Sequence, residues 1–211
     1  MKHATHVVLL IACTGMAVAQ VKTTFVDNSP AGNPMSLAGS KDKTGQCNIT
    51  LHNNSPRPVV AVVVDFEGGP NVAAHMIHDH FFMSDEHVAM HGNDFEMSFP
   101  CSDWKTVTMT TKFIQSNDGQ LWEESDAKTV GEIAAQRRDA IDYLNEVVQA
   151  PDTKAKLAQV TKATRDVNGN LLTARNHERD VLRSADDPIG TAKERLANGE
   201  AHSAWLLNLV K

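Results

Sequence analysis

Five of the eight histidines that follow residue 19, namely His75, His78, His80, His87 and His91, fall within 17 residues, accompanied by Asp79, Asp85 and Glu86. Neutral imidazole is the commonest transition-metal ligand in proteins, and carboxylates can add oxygen donors. On an extended strand His78 and His80 share a face, as two ligands of one ion must. On a helical turn after Ser84, His87 and His91 would share one as well. Met76, Met83, Met90 and Met97 are interleaved with these histidines. Thioether sulfur selects Cu(I), whereas imidazole suits Cu(II), zinc and nickel, so the five histidines form a candidate copper or zinc site. The plainer reading makes the methionines core filler and the histidines a solvated loop.

Named signatures are missing around this cluster. The zinc-protease HExxH is absent, and His78, His80, Glu86 and Gly92 approach the cupin HxH, Glu and Gly at the wrong intervals. No GxSxG elbow, Walker loop or GxGxxG follows a strand-like run. Gly68, Gly69 and Pro70 read as a turn. Paired carboxylates such as Asp65 with Glu67 are ordinary on an acidic surface, and with aromatics at 5% a sugar-stacking platform is not expected. Trp104 and Trp122 read as core or sheet-edge residues, and Arg137 with Arg138 as part of a solvated helical face. Catalytic residues are therefore not assigned.

These side chains must be carried by an exported chain. MKHATH is a short basic n-region, VVLLIACTGMAVA an uncharged h-region, and Ala17, Val18 and Ala19 a small-x-small cleavage site before Gln20. Residues 1–19 thus read as a signal peptide. The apolar run of about 13 residues is shorter than the about 20 a membrane-spanning helix needs, so the mature chain is expected to hold no transmembrane segment. Leu10, Ile11, Ala12 and Cys13 offer an alternative, a lipoprotein-type box with lipid on Cys13. Removal of the signal leaves Cys47 and Cys101, a pair expected to form a disulfide in an oxidising secreted or periplasmic space.

Charge narrows the partners. Loss of Lys2 with the signal leaves 19 basic and 26 acidic residues, a net charge of −7. Residues 20–125 carry 6 basic and 13 acidic side chains, while 126–211 carry 13 of each. An acidic chain with no basic face is not a nucleic-acid binder. An unknown protein or small ligand remains as the partner.

Hydropathy patterning predicts an α+β fold with strands first and helices after. Residues 20–45, rich in Pro, Gly and small polar residues, read as a flexible leader with one strand-like piece near Val21 to Val26. Strands are predicted at Cys47 to Leu51, Val59 to Phe66, His75 to Met83, Phe95 to Phe99, Thr106 to Ile114 and Leu121 to Trp122, with a turn at Asn117, Asp118 and Gly119. The unbroken apolar run from Val59 to Val64 predicts a strand covered on both sides. Residues 46–125 would form a small antiparallel β-sandwich, which resembles an immunoglobulin-type domain in outline but lacks a Trp between its cysteines and the tyrosine corner. That resemblance implies architecture alone.

Residues 126–211 read as a helical region. Thr129 with Glu132 suggests a capping box, followed by an apolar stripe through Ile133, Ile141, Leu144 and Val148. A second helix is predicted from Asp152 to about Asp166, a third over Leu171 to Arg183, and a fourth from Pro188 to near Gly199. The sequence reading favours a non-enzymatic exported binding or interaction module, with a copper- or zinc-binding protein as the alternative.

Overall fold

The computed structural model of the 211-residue chain describes residues 22–69, 72–83, 92–159, 164–165 and 171–202. Residues 1–19, read above as a signal peptide, and His87 and His91 lie outside them. Seven strands come first: β1 (Thr24–Asp27), β2 (Met35–Lys41), β3 (Gln46–Asn53), β4 (Val59–Gly69), β5 (Val72–Asp79), β6 (Asp94–Pro100) and β7 (Thr106–Ser116). Then follow α1 (Ala127–Val148), α2 (Thr153–Ala158), the short pair β8 (Thr164–Arg165) and β9 (Leu171–Leu172), α3 (Ala174–Ser184) and α4 (Pro188–His202). The fold is mixed α+β.

Among the described residues the strands make a four-stranded sheet of order β1-β7-β4-β5 and a three-stranded sheet of order β2-β3-β6, besides the β8-β9 pair. The four-stranded sheet is the middle layer. On one side Val62, Val64 and Phe66 of β4 share a core with Ile49 and Leu51 of β3 and with Phe95 and Phe99 of β6. On the other, Val60, Ala61 and Val63 share a core with Ile133, Tyr143 and Leu144 of α1. Residues Val59 to Val64 are all 0% exposed, which is why that run needs no polar face.

Cys47 on β3 and Cys101 just past β6 have their sulfurs 1.96 Å apart, a disulfide distance, within the core shared by the two sheets. β3 and β6 are neighbouring antiparallel strands, with Cys47 opposite Phe99.

Several boundaries differ from the sequence expectation. The segment 20–45 contributes two strands: β1 pairs in parallel with β7, and β2 pairs antiparallel along the length of β3. Its Gly and Ser residues hid a real alternation, Met35 buried, Leu37 and Gly39 half-buried and Ser36, Ala38 and Ser40 exposed. Gly68 and Gly69 extend β4 rather than turn, and Gly68 is where the Trp104 ring lies against the strand: a Cβ there would fall 1.9 Å from that ring. Leu121 makes only an isolated bridge to Gln115.

In the helical half Asp126, not Thr129, caps α1, its carboxylate accepting from the Thr129 amide at 2.9 Å. The predicted second and third helices are cut back by the β8-β9 pair, in which Thr164 faces Leu172 and Arg165 faces Leu171. α4 runs through Asn198 and Gly199 to His202, and Gly199 packs closely against the rings of Phe81 and Phe82, where an added Cβ would lie 3.1 Å from the nearer ring.

Candidate functional site

β5 bonds to β4 alone and forms one edge of its sheet, with His78 opposite Val62 and His75 opposite Asp65. Side chains alternate across a strand, so His75, Ile77 and Asp79 face one way and Met76, His78 and His80 the other. His80 lies one residue past β5 and keeps the pattern, its amide donating to the Val60 carbonyl at 2.9 Å. The histidine cluster is therefore split between two layers.

On the side toward α1, His75 Nδ1 lies 2.6 Å from Asp65 Oδ1, and its Nε2 lies 3.8 Å from Glu132 Oε2. Asp79 meets Arg137 of α1, whose Nε and Nη2 donate to the two carboxylate oxygens at 2.8 Å each. Arg137 Nη1 donates to Gln115, and the guanidinium stands 4.0 Å over the Phe81 ring. Arg137 is 1% exposed, so the sequence reading of a solvated arginine pair fails at this residue; Arg138 is exposed as expected. A signal was present, because Arg137 lies four residues after Ile133 and three before Ala140, on the buried stripe of α1.

The same seam holds further paired charges. Arg195 of α4 donates to Glu178 of α3, with Nη2 to Oε1 at 2.7 Å, and Arg175 Nε donates to Asp139 at 2.9 Å. Gln136 Oε1 accepts the amides of Thr173 and Ala174 at 2.9 and 3.1 Å, which caps α3 where Thr173 offers no side-chain bond of its own. A cleft of about 270 Å³ opens here, lined by Asp79, Arg137, Gln136, Glu178 and Arg195 among others.

The side toward the three-stranded sheet is different. The His78 ring centroid is 4.4 Å from that of His80 and 4.4 Å from that of Phe95, and His80 meets Phe95 edge-on at 5.6 Å. His78 Nε2 is buried with no hydrogen-bond partner, a condition shared among the described side chains only by Gln115 Nε2 and Tyr143 Oη. Burial lowers the His78 pKa to about 4, helped by the neighbouring His80 and opposed by Asp79. At neutral pH the ring is therefore uncharged and keeps a nitrogen lone pair.

Two of the five candidate ligands, His78 and His80, thus come together, and His75 is turned to the opposite layer with Asp65 as its partner. His87, His91, Asp85 and Glu86 lie outside the described residues. Among the described residues no three His, Cys, Asp or Glu side chains converge as a metal-holding group. The pair can act as a two-nitrogen donor set, and His78 Nε2 has no hydrogen-bond partner within the protein.

No protein-family model matches this chain, and no curated protein is detectably similar to it.

Proposed function

We propose that this chain is an exported binding module rather than an enzyme, an immunoglobulin-like β-sandwich capped by helices, and that it binds a transition-metal ion, copper or zinc, through His78 and His80. The observation that carries this reading is the buried, unpartnered Nε2 of His78 beside the His80 ring. A buried polar atom without a partner costs free energy, on the order of 1–3 kcal/mol, and an ion that accepts its lone pair removes that cost. Export is supported by the signal-like residues 1–19 and by the disulfide-distance pair Cys47 and Cys101. Among the described residues no helix is long and apolar enough to cross a membrane, which is compatible with release from it.

The test is elemental analysis of the tag-free chain from Gln20 onward after titration with copper and zinc and dialysis, beside a His78→Ala/His80→Ala variant whose fold is checked by circular dichroism. Near-stoichiometric metal retained by the wild type and lost by the variant is expected. Metal that washes out, or that the variant holds equally well, overturns the metal reading and directs the search to a protein or small organic ligand.

A further inference from the structure

We propose that the ion taken at this site is cuprous copper, bound by the thioether of Met76 together with the imidazoles of His78 and His80; the inference rests on the metal-binding reading above and names its metal. The first ground is placement. Met76 and His78 on β5 and His80 one residue past it occupy alternate positions on one face, and Met76 is half-buried against the core shared by the two sheets. Strand geometry puts the thioether next in line to His78, the ring whose Nε2 lacks a partner.

The second ground is charge. The Met76 thioether carries no charge. The nearby carboxylates Asp65 and Asp79 project to the opposite layer, where His75 and Arg137 engage them. An ion bound at His78 would sit beside the Phe95 ring, on the face away from those two carboxylates. The cost of taking an ion out of water rises with the square of its charge, so a monovalent ion is far cheaper to hold here than a divalent one. Zinc sites meet that cost with three or four protein ligands, commonly including thiolates or carboxylates.

The third ground is donor softness and number. Thioether sulfur selects Cu(I) among the first-row ions, and imidazole is compatible with it. Cuprous ion also accepts two or three donors without strain, as a filled d shell imposes no preferred geometry.

The experiment is chelator competition with the full exported chain: Cu(I), kept reduced with ascorbate under nitrogen and buffered by bicinchoninate, and separately Zn(II) and Cu(II) against chromophoric chelators. Three proteins are compared: wild type, Met76→Leu and the His78→Ala/His80→Ala variant. Met76→Leu keeps the apolar volume and removes the sulfur, and such swaps cost less than about 1.5 kcal/mol, so the fold is preserved. Expected are one Cu(I) per chain in preference to Zn(II), and a loss in Met76→Leu of at least about tenfold in Cu(I) affinity, the order by which even outer-shell changes weaken metal sites. X-ray absorption should show sulfur scattering that the Met76→Leu protein lacks. Preference for Zn(II) or Cu(II), abolished in the histidine variant, overturns the cuprous assignment and leaves the metal reading standing. Cu(I) binding unchanged in Met76→Leu overturns the thioether ligand. Failure of all three ions to bind overturns both readings.

Discussion

On the side of β5 that faces the helices, His75 and Asp79 each meet a partner of opposite or complementary character, Asp65 for the first and the buried Arg137 for the second. On the side that faces the three-stranded sheet, His78 lies against the rings of His80 and Phe95, and its Nε2 has no hydrogen-bond partner. The two faces belong to one strand and differ in what a polar group does there. Along the helix seam, the charged groups are completed pairs that register α1, α3 and α4 on the sheet and on one another, although Gln115 Nε2 and Tyr143 Oη have no partner there. Toward the other sheet, a polar group is left incomplete at some cost in stability. A completed pair is what packing requires, whereas an incomplete one invites a ligand.

Breaking the completed face should have the largest effect. Arg137→Met leaves the Asp79 carboxylate half-buried without its counter-charge, and removing one partner of a buried pair costs about 3–5 kcal/mol. Urea denaturation followed by tryptophan fluorescence measures it, and a loss below about 1 kcal/mol would show that water, not Arg137, satisfies Asp79. Adding Asp79→Asn should recover part of the loss, because the stranded charge is then gone.

Next in size is the covalent link on the sheet side. Cys47 and Cys101 are 54 residues apart in sequence, and in the chain-entropy model closing such a loop is worth up to about 4 kcal/mol. Cys47→Ser/Cys101→Ser should lower the urea midpoint accordingly, and treating the wild type with a reductant that opens the bond should reproduce most of that change. Two titratable thiols in the native, unreduced protein would remove the bond from the comparison altogether.

The incomplete face gives a smaller effect of opposite sign. His78→Leu replaces an unpartnered buried nitrogen with an apolar group and should stabilise the metal-free protein by about 1 kcal/mol while abolishing metal retention. A destabilisation like that of Arg137→Met would mean that His78 is a structural residue with a satisfied ring, and the contrast between the faces would fail.

The smallest effect is expected at the start of α1. Thr129 bonds to the Asp126 carboxylate through both its amide and its hydroxyl, holding that group below its ordinary 3.8. A depressed carboxylate stabilises the fold above pH 3.8 and loses that contribution as the pH falls through its folded value. Asp126→Ala should therefore cost about 1 kcal/mol at neutral pH, with the gap from wild type narrowing in acid. A gap independent of pH would locate the cap's contribution in geometry rather than charge.

Much of the scaffold was legible in residue order. The runs at Val59 to Val64 and Thr106 to Ile114 mark β4 and β7, the paired Cys47 and Cys101 are at disulfide distance, and the stripe through Ile133 and Leu144 marks α1. β2 was harder to see, because Gly39 and the two serines of MSLAGSK make a weak strand that forms by pairing with β3. The β8-β9 pair interrupts a pattern that local propensity alone favours as helix.

The candidate site divides along the same line. That His78 and His80 share a face, with Met76 in line, follows from the two-residue period of a strand and needs no partner. That His75 belongs to a different layer was equally implicit in its odd number. Which layer each face would meet could not be read from periodicity, because it depends on β4 lying between β5 and β7 and on α1 packing across them. Arg137 is the clearest case. Its spacing put it on the apolar stripe, but a buried guanidinium is tolerable only beside a counter-charge, and that counter-charge is Asp79, 58 residues away in the chain. Local periodicity determines which side chains stand together on one element; only long-range packing brings a charge to its partner or leaves an imidazole without one.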